Sequence, residues 1–116
     1  MLVNKFLHRI FGNLVLAIQC NANQLKEMIP NNANIQSARN KVTQQQYDVN
    51  LQTSLLPFYN NIITIQCKDG FFFQDRTWEK QIICDLRNDS QSIGEWVGYL
   101  GTSLPLYPSC QSWVFS

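Results

Sequence analysis

Four cysteines in a 116-residue chain constrain this sequence more than any other feature. They stand at positions 20, 67, 84 and 110, separated by 47, 17 and 26 residues. No C-x-x-C pair is present to grip a zinc ion from a single turn. The one histidine, His8, offers the cysteines no imidazole co-ligand nearby. Two arrangements remain. One is a pair of disulfides, which compensate a small β-module for a thin core; the other is four buried free thiols in a cytosolic protein. The first is the expectation. Spacing does not choose among the three pairings that four cysteines allow.

Length points to one domain. Charged residues are 15% of the chain against roughly 25% in an average globular domain, and hydrophobic residues are 45%, so the chain is too apolar to be disordered. The formal net charge is +1, without a run of Lys or Arg, which sets aside a nucleic-acid partner.

Residues 1–17 have the layout of a short secretory signal. Lys5, His8 and Arg9 form a positive start, an apolar run follows from Ile10 to Leu16, and Val15-Leu16-Ala17 offers a cleavage site. The run is too short to span a bilayer. An ordinary amphipathic terminus is the other interpretation. Residues 21–57 are rich in Asn and Gln and are expected to be a long polar loop. Leu25, Met28 and Ile29 keep helical spacing until Pro30 stops them, and the Ala, Arg, Lys and Gln of about 36–47 suit a second short helix. The competing expectation is polar filler without a fixed fold.

From Leu55 the character changes. Ile62 to Cys67 is β-branched and reads as a strand, with Ile63, Ile65 and Cys67 on one face. Lys68-Asp69-Gly70 is a turn. Phe71 to Phe73 is a second strand, with Phe71 and Phe73 facing the core and Phe72 facing away. Gln74 to Lys80 is a polar connection carrying Trp78. Gln81 to Cys84 is a third strand, with Ile82 and Cys84 opposite Ile83 in facing. Asp85 to Gly94 is a loop, Trp96 the large core residue of the last segment, and Gly98 to Ser103 another loop. Pro105 and Pro108 stiffen an extended approach to Cys110. Residues 113–116 are a tail, whose Trp113 and Phe115 suggest a neighbour in a longer chain.

In combination, Cys20, Cys67-x-x-Gly70-Phe71, Ile82-x-Cys84, Gly94-x-Trp96 and Pro108-x-Cys110 resemble the sushi module, also called the complement control protein domain or short consensus repeat. The likeness covers residues 18–112, with the Asn/Gln-rich stretch 21–57 and Val97 to Tyr107 as insertions. It implies an all-β, elongated, disulfide-stapled module with Cys20 bonded to Cys84 and Cys67 to Cys110, one bridge near each end. Trp96 is expected beside the Cys67–Cys110 bridge. The resemblance further implies a secreted bead among other modules, which binds a protein or a surface glycan and needs no cofactor.

Enzyme chemistry has little to stand on. A single histidine, inside the signal, leaves no Ser-His-Asp or Cys-His arrangement. There is no Gly-rich phosphate loop and no H-E-x-x-H. Asp85, Asp89 and Glu95 are read as a solvated loop rather than an acid–base pair, and Asp69, Asp75 and Asp85 lack the spacing of a calcium loop. A C-type-lectin-like domain is a competing binding fold, because Glu95-Trp96-Val97-Gly98 echoes its W-I-G motif; its calcium-sugar tripeptides E-P-N and Q-P-D are missing. A small secreted effector acting alone is a third class. Asn88-Asp89-Ser90 is the one glycosylation sequon. The candidate contact patch is Phe72, Arg76 and Trp78, since exposed aromatics beside an arginine dominate protein interfaces; the alternative is that Trp78 folds back over Phe72 and completes a small second core.

Overall fold

A computed structural model describes residues 18–88, 92–104, 106 and 110–112. The expectations for residues 1–17, Pro105, Pro108 and 113–116 fall outside the described residues. The all-β expectation holds: the described residues form a small antiparallel sheet stapled by two disulfides, with one short α-helix among them.

Helix α1 spans Ala22–Met28, with the Asn21 side chain accepting from Gln24 N at its start. The strands are β1 (Ala33–Asn40), β2 (Gln46–Tyr47), β3 (Asn61–Cys67), β4 (Phe71–Phe72), β5 (Glu79–Leu86), β6 (Gly94–Gly98) and β7 (Gln111–Ser112), with a 3-10 turn at Thr53–Leu55. Five of them form one sheet in the order β2-β1-β3-β5-β6, and β4 pairs with β7 in a separate ribbon.

The main correction concerns residues 21–57. The helical turn ending before Pro30 is present as α1, but the second helix is not: residues 33–40 are a strand paired along the full length of β3. Ala, Asn, Gln and Arg are weak strand formers, yet β-propensity yields readily to context. Here the context is β3, whose Ile-rich edge needs a partner for its backbone. A bulge between Ile35 and Ser37 changes the alternation. Ala33 and Ile35 pack on the core ahead of it, and Ala38 is buried there beyond it. One extra residue is what brings an even-numbered position onto the face of odd-numbered ones.

The Asn and Gln residues also build the turns. Asn32 and Asn60 take positive φ, 65° and 73°, a conformation Asn tolerates better than most residues. Asn40 Oδ1 accepts from Val42 N and Thr43 N, both at 2.9 Å. Asn61 is fully buried; its Nδ2 donates to Leu55 O at 2.5 Å and its Oδ1 accepts from Asn40 Nδ2 at 3.2 Å. A buried amide with partners on both atoms ties β1, β3 and the 3-10 turn together.

The core lies on one face of the sheet. Ile63, Ile65, Ile82, Cys84 and Trp96 pack there with Leu25 of α1, Leu56 and Phe73. Each such aliphatic burial is worth about 1.5–3 kcal/mol. Ile82 and Cys84 do face opposite to Ile83, as expected; Ile62 and Ile83, register partners, are buried on the other face.

Both bridges follow the first-to-third, second-to-fourth pattern: Cys20–Cys84 and Cys67–Cys110. No cysteine is free, so the free-thiol alternative is overturned. Cys84 sits where β5 passes the start of β3, and Cys67 ends β3 six residues on, about 20 Å away at 3.3 Å per residue. The bridges therefore clamp opposite ends of the sheet. Trp96 is buried as expected but at the other end from that expected. It is the register partner of Cys84, not a neighbour of Cys67, because β6 pairs with the far half of β5. Its Nε1 donates to Asn21 O at 3.0 Å.

Two glycines of β6 have no room for a side chain. A Cβ at Gly94 would stand 2.9 Å from Cys20 Sγ and 3.0 Å from Cys84 Sγ, so the strand can cross the bridge only as glycine. A Cβ at Gly98 would overlap the carbonyl oxygen of Thr102, where the chain folds back after β6.

Candidate functional site

The candidate site forms where β3 ends. Cys67 is tied to Cys110, and the chain then reverses through Lys68-Asp69-Gly70, with Phe71 N donating to Lys68 O at 2.9 Å. Gly70 adopts φ 85°, which a β-carbon would disfavour. The reversal delivers Phe71 against the core and leaves Phe72 half-buried on the opposite side; Phe73 is fully buried. This is the alternation expected of the three phenylalanines.

A tight loop follows. Phe73 N donates to Thr77 O at 2.7 Å, and Arg76 N donates to Phe73 O at 2.8 Å. Asp75 Oδ1 accepts from Thr77 Oγ1 at 2.6 Å and from Thr77 N at 3.1 Å. Lys80 Nζ donates to Asp75 Oδ2 at 2.6 Å and lies 5.3 Å from the Phe73 ring centroid. Lys80 thus belongs to the scaffold of the loop, not to an open contact surface. Arg76 sits on the exposed turn with φ 71°.

The loop ends at Trp78, whose carbonyl accepts from Cys67 N at 2.8 Å. That bond sets the backbone of Trp78 beside Cys67, at the end of β3. Trp78 is 56% exposed, and its ring meets Phe72 edge-on, with centroids 6.4 Å apart and planes at 83°. The expected pair is therefore brought together without becoming a second core. Between the 68–70 turn and the indole lies a cleft of about 320 Å³, lined by Gln66, Lys68, Asp69 and the two aromatics among others. Lys68 and Asp69 were legible only as turn residues; their place in the cleft wall depends on the β3–β5 pairing.

No family model, curated protein or solved structure matches this chain.

Other candidates take definite places. Asn88 is exposed in the connection between β5 and β6, while Asp89 and Ser90 fall outside the described residues. Asp85 and Glu95, read as loop acids, are instead register partners in β5 and β6, and both are exposed. Among the described residues no group of three or more His, Cys, Asp or Glu could hold a metal ion, and no helix is long and apolar enough to cross a membrane.

The Asp75 carboxylate is held well below its usual range, from 3.8 to about 2, first by the Lys80 hydrogen bond and then by those from Thr77. A depressed carboxylate pKa adds stability above the unfolded value of 3.8, and that stability is lost as pH falls through about 2. With the Asp75 side chain 51% exposed, solvent screening keeps the contribution small. Lys80→Met is expected to raise the Asp75 pKa toward 3.8, read from its carboxyl carbon in an NMR titration. A value still near 2 in the variant would show that Lys80 is not the cause.

Proposed function

We propose that this chain is a non-catalytic extracellular recognition module of the sushi kind, binding another protein or a surface glycan through Phe72, Trp78 and Arg76. The observation that carries it is the exposed Trp78 ring, held edge-on to Phe72 at the rim of a cleft. A large aromatic left in solvent is among the residues that most often anchor a partner, and Arg76 is exposed two residues before Trp78 in the same loop. Two disulfides in a small domain support an oxidising compartment, and the signal-like residues 1–17 agree with secretion. The crossed bridge pattern supports the sushi likeness, and with it further modules in a longer chain.

Trp78→Ala and Phe72→Ala test the site. Retention of the chain on an extracellular-matrix extract should fall by about tenfold or more, roughly 1.4 kcal/mol per factor of ten, while the melting temperature stays nearly constant. A fall of many degrees in both variants would make the patch a piece of core. The exposed Asn88 should carry a glycan after passage through a eukaryotic secretory pathway. The check is a mass shift removed by glycosidase; protein recovered from the medium without that shift would rule the modification out.

A further inference from the structure

We propose that the cleft beside Trp78 is a binding site for a neutral saccharide at least two sugar rings long. This rests on the recognition function above and names the ligand class of the same site.

Size comes first. A cleft of about 320 Å³ holds one ring-sized group; a stable protein partner would cover about 800 Å² on each side. Chemistry follows. The aromatic faces of Trp78 and Phe72 carry the negative lobe of the ring quadrupole and attract polarised C–H bonds. Gln66 can donate and accept, Lys68 donates, and Asp69 accepts. A pyranose ring presents an apolar C–H face and a belt of hydroxyls that each donate and accept, so the two surfaces match group for group. Among the described residues, Lys68 and Asp69 are the one cation and the one anion of the cleft lining, and Arg76 is not in its wall, which leaves the cleft itself without the cationic excess that a sulfated glycan requires.

The backbone argues against a peptide strand. Cys67 N donates to Trp78 O, and Phe71 N donates to Lys68 O, so these cleft-wall donors are already engaged. Strand addition depends on free main-chain groups. Trp78 also lines a second cleft, of about 270 Å³, with Thr77 and Glu79. Trp78 lines both spaces, so a linear chain that follows it can place one ring in each.

The test is a titration of the isotope-labelled full chain with cellobiose, maltose and N,N′-diacetylchitobiose, with their monosaccharides, and with a sulfated heparin tetrasaccharide. At least one neutral disaccharide should give saturable amide shifts confined to Gln66 to Phe72 and Thr77 to Glu79. It should bind about tenfold more tightly than its monosaccharide. Trp78→Ala should abolish the shifts, and Asp69→Asn should weaken binding at unchanged melting temperature. Shifts from heparin alone, or from no neutral sugar, overturn the saccharide assignment. A parallel measurement uses a matrix extract that is untreated, periodate-oxidised or trypsin-treated. Retention lost on periodate oxidation and in Trp78→Ala supports the proposal. Retention lost on trypsin treatment and in Trp78→Ala, but surviving periodate, makes the partner a protein and leaves the recognition function standing. Retention unchanged in Trp78→Ala overturns both.

Discussion

Replacing Cys20 and Cys84 together by alanine is expected to unfold the module at 37 °C. The bridge spans 64 residues, and in the chain-entropy model a loop of that length restrains the unfolded state by about 4 kcal/mol. A domain of this size has on the order of 5–15 kcal/mol of net stability. The loss is compounded locally. The bridge holds residues 18–20 against the β5 end of the sheet, where Cys20 N donates to Pro57 O at 2.7 Å, and it anchors the entry to α1. Gly94 crosses directly over the sulfurs, so alanines there leave a space under β6 that the strand must close. The measurement is the amide NMR spectrum and thermal unfolding of the double variant. A cooperative transition within a few degrees of the parent would show that the sheet does not depend on this clamp. The Cys67–Cys110 bridge encloses 43 residues and is expected to cost nearly as much by the same model. Its loss should act on the other end of the sheet, at the Trp78 cleft.

Trp96→Ala is the second large effect. The indole is buried in the core beside Cys84 and is 5% exposed. Truncating a buried aromatic to alanine costs about 3–5 kcal/mol, because both transfer free energy and packing around the space are lost. Trp96→Phe separates the two contributions of the side chain. It keeps most of the ring volume but removes the Nε1 donor to Asn21 O. That single hydrogen bond is worth about 1 kcal/mol, and Asn21 O keeps Leu25 N as a donor at 3.1 Å. The phenylalanine variant should therefore fold with a lower midpoint in denaturant, and the alanine variant should fail to fold or to be secreted. Equal, small effects from both would mean that neither the ring nor the bond supports the core. Asn21 is also the cap of α1, so weakened protection of the α1 amides in hydrogen exchange should accompany the phenylalanine variant.

The strands that carry β-branched or aromatic runs were legible because their own residues demand a pleated, half-buried surface. Ile62 to Cys67 lies within β3, and Gln81 to Cys84 within β5, which is longer by two residues at each end. Phe72 and Trp78 were legible as a pair because strand alternation turns Phe72 away from Phe71 and Phe73. β1 was not legible. Nothing in Ala33–Asn40 favours a strand locally, and its bulge breaks the alternation that would have marked it. The position of Trp96 was misjudged for a related reason: proximity to Cys110 in sequence says nothing about which half of β5 the strand β6 pairs with.

By itself the sequence determined the local choices: where the isoleucines extend, where Gly70 and Pro30 interrupt, and which phenylalanines face inward. The crossed pairing came from a resemblance to known modules. Register, strand order and the closeness of Lys68, Asp69, Phe72 and Trp78 were decided by the tertiary structure alone. These depend on hydrogen bonds between strands far apart in the chain, and on one bulge that changes the facing of every residue after it. A side-chain period of two is written in a few neighbouring residues. The partner of a strand is settled only when the whole sheet closes its backbone bonds.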